Sequence, residues 1–251
     1  MRKYGLIGYP LGHSFSQKYF TEKFARESIT GCSYDNYPIA GLDEFQGLIK
    51  NDPSLCGLNV TIPYKTGILK YADIKDAAVR EIGAANVLKI KREGSKIHIS
   101  AFNSDVAGIE DSLKPFLSRG SLKNAMVLGT GGSSRAVSYV LKKLGLRVTR
   151  VSRSRKTGII SYHDITAELI NKTQVIINTT PLGMFPDITS KPDINYSLLD
   201  QKHILFDLVY NPEITLFLKM GQERGCTIIP GLKMLYSQAD RSWEIWNDDN
   251  L

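Results

Sequence analysis

Apolar positions recur along the chain at two spacings, every second residue in some blocks and every third or fourth in others, so strands and helices alternate. Residues 3–8 read as a strand closing on the turn Gly8-Tyr9-Pro10-Leu11-Gly12. Residues 16–28 place Phe20, Phe24 and Ala25 on one side, which predicts a helix. Residues 33–39 are strand-like, 42–50 helical, and 57–62 strand-like again. A helix is expected from Pro63, because proline suits the first helical turn. Residues 85–91 and 96–102 flank Glu93-Gly94-Ser95 and predict a hairpin.

From Asp105 onward the blocks change character. Residues 124–128 predict a short buried strand, followed by Gly129-Thr130-Gly131-Gly132-Ser133-Ser134-Arg135. Residues 134–144 set Val137, Val140, Leu141 and Leu144 at helical spacing, and 147–151 return as strand. Together they make one βαβ unit of about thirty residues, the length of a right-handed crossover. Residues 174–178 and 204–209 are dominated by apolar side chains, as in buried parallel strands. The expected fold class is α/β in two domains, 1–104 and 105–236. Residues 232–246 carry Leu232, Leu235, Tyr236, Ala239, Trp243 and Trp246 at helical spacing. So amphipathic a helix must pack on something, and the pattern alone does not choose the domain.

The 251 residues suffice for two medium domains, and 42% hydrophobic with 23% charged residues is the balance of a chain that buries real cores. No apolar run approaches the ~20 residues that span a bilayer, so no membrane partner is expected. Met1-Arg2-Lys3 before Tyr4-Gly5-Leu6-Ile7-Gly8 offers too short an apolar stretch for a signal peptide. Cys32, Cys56 and Cys226 are far apart and form no Cys-x-x-Cys pair, which fits free thiols in a reducing cytoplasm and no structural zinc. His13, His98, His163 and His203 lack metal spacing, and no metal is expected. The net charge of +7 raises the question of nucleic acid. Lys and Arg are scattered, however, and the densest cluster, 150–156, suits a cofactor phosphate, so no nucleic-acid partner is expected. No heptad seam or self-complementary patch sets an oligomeric state.

The glycine cluster carries the first chemical signal. Gly129 allows a tight strand-to-helix turn and Gly131 lets backbone approach a pyrophosphate. Gly132 and Ser133 lead into the helix whose N–H groups and positive dipole end face that anion. Ser134 stands where the general fingerprint has its third glycine, and a plain tight turn is the alternative reading; the flanking strand and helix favour a cofactor. An NAD-binding unit places Asp or Glu about 20 residues after the glycines, accepting from the ribose 2′-OH. Here Val151-Ser152-Arg153-Ser154-Arg155-Lys156 offers hydroxyls and cations fit for a 2′-phosphate. NADP is the expected cofactor, with Arg153 on its phosphate; a solvated basic turn is the other reading.

Three segments of the first domain are rich in small hydrogen-bonding side chains. In Gly12-His13-Ser14-Phe15-Ser16, Ser16 also suits the cap of the next helix. In Asn59-Val60-Thr61-Ile62-Pro63-Tyr64-Lys65, Asn59 and Thr61 point to one side of a strand. Lys65, just inside the helix expected from Pro63, opposes its dipole, so the ammonium has another reason to be there. The third segment is Gly83-Ala84-Ala85-Asn86 with Asn103-Ser104-Asp105.

These segments resemble the shikimate dehydrogenase family. So do Gly8-Tyr9-Pro10, Gly108, the stretch from Gly129 to Arg135, and Asn178-Thr179-Thr180-Pro181-Leu182-Gly183-Met184. Asp207-Leu208-Val209-Tyr210-Asn211-Pro212 and Gly231-Leu232-Lys233-Met234-Leu235 with Gln238 extend the likeness over essentially the whole chain. The resemblance implies an N-terminal α/β substrate domain and a Rossmann-type NADP-binding domain, with a C-terminal helix, 237–251, returning to the substrate domain. It implies Ser14 and Ser16 on the substrate carboxylate, and Asn59, Thr61, Asn86 and Gln238 on the carboxylate or ring hydroxyls. Lys65 and Asp105 match the catalytic pair. The Met184 segment and Gly231 match main-chain partners on the nicotinamide side, and Tyr210 lies near the substrate. The implied activity is reversible reduction of 3-dehydroshikimate to shikimate with NADPH, in aromatic amino-acid and chorismate biosynthesis.

The chemistry needs one mobile proton: oxidising a secondary alcohol releases it as hydride leaves carbon, and reducing the ketone takes it back. An ordinary lysine pKa of about 10.4 makes a poor base. Lys65 is therefore expected to act mainly as an acid toward the developing alkoxide, with Asp105 orienting it. The chain departs from the family in three places. Gln17, Tyr19 and Phe20 stand where Pro and a His-Asn pair are common, Ser104 replaces the usual Thr, and Ser152-Arg153-Ser154 replaces Asn-Arg-Thr. The alternatives are a relative that accepts quinate or NAD, a noncatalytic metabolite-binding member, and another Rossmann enzyme sharing only the second domain. Arg153 argues against NAD, retention of Lys65 and Asp105 against a sensor, and the first-domain motifs against the last.

Overall fold

Tyr4-Gly5-Leu6-Ile7-Gly8 carries no charge, and β1 (Arg2–Gly8) accordingly lies between two parallel neighbours with all of these positions buried. The computed structural model describes residues 1–11, 14–116 and 122–251, so Gly12 and His13 of the first motif lie outside the described residues. The chain divides into two units, Met1–Ser104 with Ala239–Leu251, and Asp105–Gln238.

In the first unit β1 is followed by α1 (Phe15–Arg26), β2 (Cys32–Pro38), α2 (Glu44–Asn51) and β3 (Leu55–Val60). Then come β4 (Ile74–Lys75), α3 (Ala77–Ile82), β5 (Val87–Glu93) and β6 (Lys96–Phe102). The sheet order is β2-β1-β3-β5-β6-β4. β1 pairs parallel with β2 and β3, while β5 pairs antiparallel with β3 and with β6, its hairpin partner. Period-two alternation splits the core between the faces. Ile7 joins Phe45, Leu55, Leu58, Ile68 and Val79 in one cluster. Tyr4 and Leu6 join Phe20, Phe24, Tyr34 and Trp246 in an aromatic one. Tyr4 stacks on Trp246 at 4.8 Å between centroids, and Trp246 Nε1 donates to Leu88 O at 3.0 Å.

Two expectations need correction. Ser14, not Ser16, caps α1: its Oγ accepts from Gln17 N at 3.2 Å. No helix starts at Pro63. Residues 61–66 form turns and a short 3-10 segment follows at Gly67–Tyr71. The buried Tyr64 ring, its hydroxyl on Ile39 O at 2.7 Å, anchors the segment, and Thr66 and Gly67 are weak helix formers. Lys65 thus sits in a turn, and the dipole argument for it lapses.

The second unit opens with α4 (Asp105–Leu113) and continues with β7 (Asn124–Leu128), α5 (Gly132–Lys143) and β8 (Arg147–Ser152), the expected βαβ unit. β9 (Ile160–Ser161), α6 (Ala167–Lys172), β10 (Val175–Asn178), β11 (Ile204–Asp207), α7 (Leu216–Gln222) and β12 (Thr227–Ile229) follow. The last helix, α8 (Leu232–Asn247), runs on into the residues counted with the first unit. All pairs in this sheet are parallel, in the order β12-β11-β10-β7-β8-β9. Strand order departs from β7 in both directions, which is the doubly wound Rossmann arrangement. Ligands of such sheets bind beyond the carboxyl ends of the strands at that switch point, between β7 and β10. Met126, Leu128, Val151, Ile176, Leu205 and Phe217 fill its core. No described helix is long and apolar enough to cross a membrane.

Candidate active site

The polar candidates of the first unit gather past the carboxyl ends of β1 and β3 and at the start of β5. Besides capping α1, Ser14 Oγ donates to Asn36 Oδ1 of β2 at 2.8 Å, and Asn36 Nδ2 donates to Gln17 Oε1 at 3.0 Å. Ser16, in the first turn of α1, hydrogen-bonds to the Tyr34 hydroxyl. Burial pushes the Tyr34 phenol far above its ordinary pKa, so it stays a neutral donor, and it donates to Asn59 Oδ1 at 2.8 Å. Asn59 Nδ2 donates to Ser242 Oγ at 2.9 Å and to Asn86 O at 3.3 Å. The carboxamide nitrogen is thus engaged inside the protein, and one lone pair of Oδ1 is left for a hydroxyl donor.

Thr61 follows β3, its N–H on Ile7 O at 2.9 Å. Lys65 O accepts from Ala85 N at 2.8 Å, so the turn that carries the ammonium is tied to the 83–86 segment. Asn86 in that segment is clamped: Nδ2 donates to Ser104 Oγ at 3.0 Å and Oδ1 accepts from Ser104 N at 2.7 Å. Asn103 Nδ2 donates to Ala84 O at 2.9 Å. Asp105, two residues on from Asn103, is the buried first residue of α4 and belongs with the second unit.

In the second unit the glycine turn has the form a dinucleotide needs. Gly129 has φ +118°, and a Cβ there would collide with Thr179 Oγ1. Gly131 is the N-cap of α5 with no side-chain cap, and the first turn of a helix at Gly132 and Ser133 aims its N–H groups and positive dipole end where an anion is received. Ser134 explains its own departure from the fingerprint: it is fully buried and its Oγ donates to Gly129 O at 2.7 Å, bracing the turn. At the end of β8, Ser152 bonds to Ser154 O, and beyond it Arg155 is paired with Asp164, whose carboxyl it holds well below the usual range. Arg153 is exposed and makes no ion pair among the described residues. The backbone donors at 131–133 and the acid-free cation at 153 fit a phosphate-bearing dinucleotide. No group of three His, Cys, Asp or Glu that could hold a metal occurs among the described residues.

Met184 is exposed on a turn closed by Met184 N on Pro181 O at 3.1 Å, and Tyr210 is also exposed. A Cβ at Gly231 would lie 2.7 Å from Leu208 O and Val209 O, so only glycine lets that backbone pass. Gln238 lies on α8, with Nε2 on Leu235 O at 3.0 Å.

Comparison with known proteins bears on both units. Residues 6–88 match the family model of the shikimate dehydrogenase substrate binding domain. A shikimate dehydrogenase (NADP(+)) of Methanococcus vannielii is 34% identical over 96% of this chain and 90% of its own length. That of Ignicoccus hospitalis is 36% identical over 97% of this chain and 92% of its own. The chain belongs to the shikimate dehydrogenase family. The crystal structure of shikimate 5-dehydrogenase from Thermus thermophilus in complex with NADP(H) and shikimate, 28% identical, covers 98% of this chain and 94% of that one at a TM-score of 0.82.

The family's substrate-domain match spans Ser14, Ser16, Asn59, Thr61, Lys65 and Asn86. Sequence reasoning missed three residues that hold members of this set: Tyr34, Asn36 and Ser242. Ser242 had a readable signal, since a polar residue on the apolar stripe of α8, between Ala239 and Trp246, asks for a partner. Tyr34 and Asn36 had none, because a polar residue in a half-buried strand is ordinary.

Proposed function

We propose that this chain is an NADP-dependent shikimate dehydrogenase, reversibly reducing 3-dehydroshikimate to shikimate in the aromatic amino-acid and chorismate pathway. What carries the reading is the whole polar set, Ser14, Ser16, Asn59, Thr61, Lys65 and Asn86, present within the stretch matched by the substrate-domain model. Ser14 and Ser16 hold the substrate carboxylate by turning their hydroxyl protons to it from Asn36 and Tyr34. Asn59, Thr61, Asn86 and Gln238 bind the carboxylate or ring hydroxyls, and Tyr210 lies near the substrate. NADP, when bound, supplies the hydride acceptor for alcohol oxidation and, reduced, the hydride for ketone reduction. Gly129, Gly131, Gly132 and Ser133 would receive its pyrophosphate, Arg153 its 2′-phosphate, and the backbone at Met184 and Gly231 its nicotinamide side. As an ammonium, Lys65 donates to the oxygen that becomes the alcohol and takes the proton back in the other direction. Asp105 orients Lys65 and balances its charge. The enzyme works on a small molecule, in the cytoplasm.

The test is reduced-nicotinamide absorbance with shikimate or quinate, each paired with NADP or NAD. Rapid reduction with shikimate and NADP alone is expected. Comparable rates with quinate or NAD would replace this reading by a relaxed-specificity enzyme, and silence in all four by a noncatalytic member of the family.

A further inference from the structure

Helix α8 carries a buried hydroxyl on the side that otherwise packs with Ala239 and Trp246, for Ser242 is fully buried. Alanine would fill that position without burying a polar group, so packing alone does not call for serine. The hydroxyl is instead a junction. Ser242 Oγ receives Asn59 Nδ2 at 2.9 Å and stands 3.1 Å from Ser104 Oγ. On the other side of the same carboxamide, Tyr34 donates to Asn59 Oδ1 at 2.8 Å. Asn59 is therefore held from both ends, oxygen toward Tyr34 and nitrogen toward Ser242, and its orientation is fixed. Ser104, the other neighbour of Ser242, is joined to Asn86 by two hydrogen bonds, Nδ2 to Oγ at 3.0 Å and N to Oδ1 at 2.7 Å.

We infer that Ser242 is a positioning residue for substrate binding, joining the Asn59 carboxamide to the paired Asn86 and Ser104 so that both carboxamides meet the substrate in fixed orientation. The inference rests on the proposed roles of Asn59 and Asn86. Without the hydroxyl, the nitrogen side of Asn59 keeps the longer bond to Asn86 O at 3.3 Å, and a rotation that also moves its oxygen becomes accessible. The contacts affected are neutral hydrogen bonds to the substrate, while the proton carried by Lys65 is not among them. The loss therefore falls on substrate affinity and leaves turnover and cofactor affinity near their wild-type values.

The experiment uses the full chain and the variant Ser242→Ala, with shikimate binding by calorimetry and steady-state kinetics. Loss of one net hydrogen bond raises Kd and KM for shikimate about 2–13-fold. The account expects kcat to stay within about 3-fold and KM for NADP to be unchanged. A role in packing alone would lower the unfolding temperature without that split. The cycle with Asn59→Ala separates the two further: because Ser242 acts in part through Asn59, the losses of the two single variants combine to less than their sum in the double variant. Should Ser242→Ala fail to fold, Ser242→Cys keeps a side chain of similar size and replaces the hydroxyl by a weakly accepting thiol, with a KM shift in the same direction expected. Unchanged shikimate affinity in a folded variant, or additive losses in the cycle, overturns the proposal. Wild-type protein that neither binds nor oxidises shikimate overturns the functional reading and this proposal with it. Normal wild-type turnover beside an unshifted Ser242→Ala overturns this proposal alone.

Discussion

Asn178 and Asp207 end neighbouring parallel strands, and the Asn178 carboxamide donates to the Asp207 carboxylate at 3.0 Å. Val209 N also donates to that carboxylate at 3.0 Å and Thr215 Oγ1 at 2.6 Å. Asn178 Oδ1 accepts from Thr180 N at 3.0 Å, so one buried pair braces both the loop toward Met184 and the loop through Tyr210. Burial nevertheless outweighs these hydrogen bonds and pushes the Asp207 pKa up to about 6.

A raised carboxyl pKa means the folded state holds the proton more tightly than the unfolded chain. The stability this group contributes is full below about pH 4 and is lost as pH climbs through about 6, at a cost of about 3 kcal/mol. Asp207→Asn keeps the shape, with the amide nitrogen donating to Thr215. Urea unfolding across pH 4–8 should find the variant about 1–3 kcal/mol more stable than wild type at pH 7.5, the gap closing toward pH 4. A variant less stable at pH 7.5 would contradict the assignment of a buried charge whose hydrogen bonds fall short of its desolvation cost.

Arg153 is the candidate for the 2′-phosphate, and Arg155 is already committed to Asp164. Arg153→Ala should therefore raise KM for NADP about 10–100-fold, the worth of a charge-assisted hydrogen bond. Activity with NAD, which has no such phosphate, should stay unchanged. Equal losses with both cofactors would move the phosphate site elsewhere.

Trp246 closes the aromatic face of the first unit, stacked on Tyr4 and bonded to Leu88 O. A Cβ on Gly57 would run into its indole nitrogen, so the strand is shaped to this ring. Trp246→Ala should cost about 3–5 kcal/mol in urea unfolding. A loss under about 1 kcal/mol would show that the ring is not packed as described.

Elements with a sustained period are legible in the sequence alone: β1, the β7-α5-β8 unit, the β5-β6 hairpin and α8. A two-residue strand such as β4 or β9 has no period to read, and β12 has three residues. α3 could have been read from its punctuation, since Asp76 caps it on Val79 N and Gly83 ends it at φ +69°. The choice between Ser14 and Ser16 as cap turns on which hydroxyl meets Gln17 N, and composition cannot settle that. The segment after Pro63 misleads for a related reason, because the buried Tyr64 overrides the local helix signal. The site follows the same rule. Motifs pick out Asn59 and Asn86, whereas the bond from Asn59 to Ser242 spans 183 positions of sequence and belongs to tertiary packing.

The central claim is that shikimate gives hydride to NADP here while Lys65 handles the proton. The direct test follows reduced-nicotinamide absorbance for wild type and Lys65→Ala side by side, with shikimate and NADP. Turnover is expected for wild type and a loss of about 10²–10⁴-fold in kcat for the variant, with KM for shikimate little changed. Undiminished turnover by Lys65→Ala, or an inert wild type, would contradict it.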